Sequence, residues 1–156
     1  MTGGFTVYFV DRKKIMKNLE YMEELITTYE QSNDWLEDRV HRLAVERIAN
    51  ILIEAIIDVG NSMIDGFIMR DPGSYEDIID ILVDESVITS EMDEPLKELI
   101  GLRRGLVRDI LDVIDEEVVN VLTKNLAAIK EFSPKVKDYL TNELGPVTAF
   151  IPEGEE

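Results

Sequence analysis

The stretch from Leu43 to Met69, LAVERIANILIEAIIDVGNSMIDGFIM, constrains this chain more than any other part of it. Most of its positions are apolar, yet its polar residues fall into a line. Glu46, Asn50, Glu54, Asp58, Asn61 and Asp65 recur at intervals of three or four, which on a 3.6-residue period makes one narrow polar stripe. Ala44, Ile48, Ile51, Leu52, Ala55, Val59 and Met63 form a second stripe, and Ile53, Ile57, Ile64, Phe67 and Ile68 a third. A helix with two apolar faces needs two neighbours, so this one belongs in the middle of a bundle or at a subunit interface.

The flanking periodicities are helical as well. Asp11 reads as the N-cap of a first helix from Arg12 to about Tyr29. Ser32 or Asn33 then caps a second, which runs through Trp35, Leu36 and Val40 into the central stretch and stops at Asp71-Pro72-Gly73. Ser74, with Asp77 three residues on, opens a third over about Tyr75 to Glu85. Ser90 or Asp93 caps a fourth with Pro95 in its first turn, carrying Leu96, Leu99, Ile100 and Leu102 and continuing through Gly101 and Gly105. Glycine costs about 1 kcal/mol against alanine inside a helix, so two of them imply close approach by another backbone or a ligand. Asp112 or Asp115 restarts a helix that reaches Ile129, and Ser133 with Pro134 opens a last one, ended by Gly145-Pro146.

The expected organisation is an N-terminal arm over 1–10, a helical domain over 11–144 and a disordered acidic tail over 145–156. Trp35, Phe67, Phe132 and Tyr139 read as core or interface aromatics, while Tyr75, near a helix start, could line a cleft. The apolar area of the second helix predicts a homodimer.

At 156 residues the chain suits one domain. It has no cysteine, which removes disulfides and thiolate chemistry and makes a reducing cytoplasm the expected compartment. Glu54 and Asp58 interrupt the central run, arguing against a membrane span. A net charge of -17 opposes nucleic acid at long range. Asp77, Asp80, Asp84 and Glu85 follow a helical period rather than a calcium-loop spacing and read as a solvated face. His41, the only histidine, has Asp38 three residues before it; this pair occurs once, so a di-metal bundle site is excluded and His41 reads as a surface residue. No metal or cofactor is expected.

One segment concentrates cations: Leu102-Arg103-Arg104-Gly105-Leu106-Val107-Arg108-Asp109-Ile110. This segment, the phrase GSYEDIIDILVDESVIT and the order of helices resemble the HepT-like branch of the HEPN superfamily over most of residues 8 to 132. The resemblance implies an all-α HEPN-type bundle of five or six helices, a homodimer, and a place among ribonuclease toxins paired with a minimal nucleotidyltransferase (MNT) antitoxin. The family motif has the form Arg-Asn-x-Leu-Val-His-x-Tyr, in which arginine and histidine cut RNA and the tyrosine accepts AMP. By that resemblance the catalytic positions fall on Arg103 and Arg108. Arg104 replaces the asparagine, Arg108 the histidine and Ile110 the tyrosine.

Arginine stays protonated and cannot exchange a proton as imidazole does, so general acid/base catalysis loses its agent. The expected function is therefore a non-catalytic dimeric interaction protein with an MNT-type partner. The alternative is a metal-independent ribonuclease in which Arg103 and Arg108 stabilise developing negative charge. The polar stripe is expected to supply the cleft around these arginines, through Asp58, Asn61 and Asp65, with Arg103, Arg104 or Arg108 paired to Asp58 or Asp65.

Overall fold

A computed structural model of the chain describes residues 10–145. Apart from Val10 and Gly145, the arm expected over 1–10 and the acidic tail expected over 145–156 lie outside the described residues. Seven α-helices follow one another: α1 Arg12–Glu30, α2 Arg39–Gly66, α3 Tyr75–Asp84, α4 Asp93–Ile100, α5 Arg103–Val107, α6 Asp115–Lys124 and α7 Leu126–Leu144. Five have ten residues or more, α4 and α5 are shorter, and the described residues contain no strand. The architecture is the all-α bundle expected.

The 28-residue α2 is its axis, with α1, α3, α4, α5 and α6 all packed on it. Ile48, Leu52, Ala55, Val59 and Met63 of one apolar stripe and Ile53, Ile57, Ile64 and Phe67 of the other are buried. Both faces are thus covered within the chain, and the apolar area of α2 gives no reason for a second subunit. Each such side chain contributes about 1.5–3 kcal/mol when taken fully out of water. Exposed apolar surface lies elsewhere. Val107, Ile110, Leu111 and Ile114 cluster around the α5–α6 connection, Leu111 at 95 % exposure. Val40 and Leu43, on the first turns of α2, are exposed as well.

Several boundaries differ from the sequence expectation, each for a local reason. Asp38, not Ser32 or Asn33, caps α2 by accepting from the His41 N–H, while Ser32 accepts from Asp34. Trp35 and Leu36 sit in the connection before α2; the Trp35 ring stacks on Tyr29 at 5.7 Å and its indole N–H donates to the Tyr29 carbonyl. α2 ends before the proline: Ile68 turns left-handed (φ 57°), and the Met69 N–H closes back on Ile64 at 2.9 Å, a Schellman turn. Ser86 (φ 61°) ends α3 in the same way, with Val87 bonded to Leu82. Ser74 caps α3 as expected.

Neither Ser90 nor Asp93 caps α4 through its side chain. Gly101 is the C-cap of α4, so the fourth helix does not continue through Gly105. At Gly105 the nearest atom to an added Cβ would be Val113 Cγ2 at 3.6 Å, an ordinary contact that requires no ligand. Neither Asp112 nor Asp115 supplies a side-chain cap for α6, which stops at Lys124 instead of reaching Ile129. Asn125 breaks it, buried, donating its amide to Glu98 and to the Val121 carbonyl.

Ser133 and Pro134 lie inside α7 rather than at its start. Ala128, Ile129, Phe132, Val136 and Leu140 form one buried stripe across them, and that burial outweighs the hydrogen bond Pro134 cannot make. The Ser133 hydroxyl donates to Glu23 instead of capping. The acidic face of α3 is also less free than expected, since Asp77 pairs with Arg70 and Asp80 with Lys97.

A candidate cleft where α5 crosses α2

The α4–α5 turn carries the chain back across the polar stripe of α2, and the short α5 delivers Arg103 there. Arg103 Nε donates to Glu54 Oε2 at 2.7 Å. On its other side the guanidinium lies 4.4 Å from the centroid of the Tyr75 ring, at the first residue of α3. Its side chain is only 23 % exposed. The Glu54 hydrogen bond holds Arg103 more basic than a free arginine, against a smaller opposing effect of burial. Three helices therefore meet at one cation, clamped between a carboxylate and an aromatic face.

The other two arginines are placed differently. Arg104 Nε bonds Asp109 at 3.1 Å with its side chain 81 % exposed, a pair of little energetic weight. Arg108 is exposed and forms no salt bridge among the described residues. The expected pairing to Asp58 or Asp65 is not what the chain builds. Both are exposed and neither has a salt bridge among the described residues; Glu54 takes the arginine because α5 crosses α2 one turn earlier than Asp58. Asp65 lies eleven residues beyond Glu54, about 16 Å along the helix. Asn61 does approach Tyr75: together with Pro72, Gly73 and Ile78 they line a shallow groove of about 340 Å³.

His41 cannot serve this cleft. It is thirteen residues from Glu54 on the same helix, about 20 Å away. Its Nδ1 bonds Asp38 at 2.9 Å, and that bond raises its pKa. Glu37, Asp38 and His41 could together approach one ion, but they are exposed or half-exposed and Asp38 is occupied as a helix cap.

A second polar junction was not foreseen. Arg42 reaches Asp115 at 3.5 Å and Glu116 at 3.6 Å. Beside it, Glu46 faces Asp115, and this second carboxyl group, with burial, pushes Glu46 up to about 7. Asp115 Oδ1 is buried and has no hydrogen-bond partner among the described residues. Sequence spacing signalled that Glu46 and Glu54 share a stripe; which tertiary partner each meets had no local signal.

The fold is an all-helical bundle built on a long central helix, with a clamped arginine in a short helix across it. A family model described as ribonuclease HepT-like matches residues 15–136, and the chain belongs to that family. It is 46% identical over 144 residues to YutE of Bacillus subtilis (strain 168), which carries a provisional RNase name; the match spans 92% of this chain and 99% of that protein. The solved structure of YutE, described as a cytosolic protein of unknown function, superimposes with a TM-score of 0.89 over 92% of this chain and 100% of its own. A tri-AMPylated HEPN toxin of Shewanella oneidensis in complex with its MNT antitoxin is 22% identical, with a TM-score of 0.71 over 80% of this chain and 97% of its own. At that identity the likeness is one of fold. No described helix is long and apolar enough to cross a membrane.

Proposed function

We propose that this chain is a non-catalytic, dimeric binding component of the HepT type, partnered by an MNT-type nucleotidyltransferase. The observation that carries the reading is the state of Arg103. A guanidinium held by Glu54 at 2.7 Å and stacked on Tyr75 is a structural tie between α2, α3 and α5. With arginine at 108 and isoleucine at 110, the segment offers neither an imidazole to move a proton nor a hydroxyl to modify. The apolar surface of Val107, Ile110, Leu111 and Ile114 flanks Arg108 and suits the contact with a second copy. The complex of the HEPN toxin with its MNT antitoxin supports the partner class.

One observation favours a second reading, metal-independent ribonuclease. Arg108 is exposed and unpaired among the described residues, free to meet a phosphate, while the clamped Arg103 could stabilise negative charge beside it. The provisional name of YutE points the same way. Cleavage of structured and unstructured RNA in EDTA, comparing the native protein with Arg103→Ala and Arg108→Ala, separates the two. The expected outcome is no cleavage above what all three preparations share, with the native protein eluting as a dimer. Cleavage by the native protein that both variants lose would replace the first reading with the second.

A further inference from the structure

The exposed residues of the 28-residue α2 are Arg39, Val40, Leu43, Arg47, Asp58 and Asp65. On a 3.6-residue period they fall within about 100° of the helix circumference and share one face. Charge is segregated along that face. Both arginines lie in the first third of α2 and both aspartates in the last third. The salt bridges of α2 among the described residues are made by His41, Arg42 and Glu54 instead. The four exposed charges cannot meet one another within one chain, since Arg47 and Asp58 stand about 16 Å apart along the helix and Arg39 and Asp65 about 39 Å.

This order is the reverse of what a lone helix favours. The positive end of the macrodipole disfavours Arg39 at the first position and the negative end disfavours Asp65 in the last turn, and α2 has no acid in its first turn and no base in its last. What the order suits is a second α2 running the other way. The midpoint between Arg47 and Asp58 and the midpoint between Arg39 and Asp65 both fall at Leu52, to within one residue. A twofold axis there sets Arg47 of one copy opposite Asp58 of the other and Arg39 opposite Asp65, each pair occurring twice. The outer pairs stand about 20 Å from the axis, within reach when the helices cross at about 20° and out of reach at about 50°. We propose that two copies of this chain pack antiparallel along α2 about Leu52, joined by Arg47–Asp58 and Arg39–Asp65 ion pairs in both directions. The proposal rests on the dimeric reading above and gives it a register. Charge rather than apolar area carries it, and Val40 and Leu43, between the two arginines, leave water in the same contact. The Arg103–Glu54 junction lies less than one turn from the axis, so the two clefts come together across it.

Exposed ion pairs are weak singly, so the test reverses them together. One full-length variant carries Arg39→Glu and Arg47→Glu, the other Asp58→Arg and Asp65→Arg, and circular dichroism confirms that each is folded. In either variant alone all four contacts become repulsive; mixed one to one, all four are attractive again, two of them with the signs exchanged. Sedimentation should give each variant a dimer dissociation constant at least about tenfold above that of the native chain, and the mixture one within about threefold of it. Register is read separately, because the chain has no cysteine. Arg47→Cys and Asp58→Cys should form a disulfide between chains when the two are mixed, and neither should do so alone. A native chain that sediments as a monomer at micromolar concentration would overturn the dimeric reading and this contact with it. A native dimer matched by both charge-reversed variants, or a cross-link no stronger in the mixture than in either cysteine variant alone, would overturn the contact and leave the dimer standing.

Discussion

Glu46 and Glu54 sit on the same stripe of the same helix, two turns apart, and meet opposite fates. Glu54 faces Arg103 and is neutralised by a full positive charge at 2.7 Å. Glu46 faces another carboxylate, with Arg42 shared between Asp115 and Glu116 beside it, and holds its proton up to about 7. Residue type and helical spacing are identical; what differs is the segment each is given as a neighbour. The arginine-bearing α5 crosses at one position, and the acidic start of α6 at the other. A polar stripe on a buried helix is therefore a set of separate junctions, each with its own charge balance.

The Arg103 junction depends on α3 lying close enough to bring Tyr75 to the guanidinium, and Gly60 permits that approach. A Cβ at 60 would collide with Ile78, which is buried and has nowhere to turn. Gly60→Val should therefore be the most damaging change, destabilising by about 1–3 kcal/mol through overpacking and parting Tyr75 from Arg103 while leaving the Glu46 junction intact. Thermal melting and the chemical shifts of the Tyr75 ring report the two effects. If Gly60→Val melts like the native protein, α3 is not seated by this contact.

A smaller effect follows from Glu54→Gln. It keeps the shape and loses the charge, leaving a three-quarters buried guanidinium with a weaker acceptor, at a cost of about 1–2 kcal/mol. The same exchange at Asp58 or Asp65 should cost almost nothing, since each is exposed without a salt bridge among the described residues. Equal losses at all three would mean that the stripe acts as one field and that the contrast between its junctions is false.

The bundle was legible because its signals are local. The two apolar stripes of α2, the Asp11 and Ser74 caps and the helical spacing throughout are written in neighbouring residues, and the phrase around Arg103 carried the family. The misses share a cause. Ser133-Pro134 has the chemistry of a helix start, but Phe132 and Val136 on either side bury into the same core and carry α7 through it. At the cleft, the spacing placed Glu54, Asp58 and Asp65 on one line and could not say where α5 would cross. That crossing is fixed by the turn at Gly101 and by packing 49 residues away in sequence. Tyr75 was recognisable as a cleft candidate from its place beside a cap; its stacking on Arg103 is purely tertiary.

The Glu46 junction yields the smallest effect and the sharpest test of the contrast, because its sign is fixed. A carboxyl whose pKa rises from 4.5 unfolded to about 7 folded binds its proton more tightly in the native state. Its stabilising contribution is complete below pH 4.5, and it is lost as pH rises through about 7, where native Glu46 ionises against Asp115. Glu46 is partly exposed, so screening holds the effect to no more than about 1 kcal/mol. Glu46→Gln offers the unpartnered Asp115 oxygen an amide donor at every pH and has no proton to lose. Its melting temperature should therefore match the native protein near pH 5 and exceed it at pH 8. Glu54→Gln should show no such crossover, staying below the native protein at both pH values because Arg103 keeps its charge throughout. A Glu46→Gln protein that gains nothing at pH 8 would mean that Arg42 already compensates both carboxylates, making the two junctions alike in charge balance and different only in geometry.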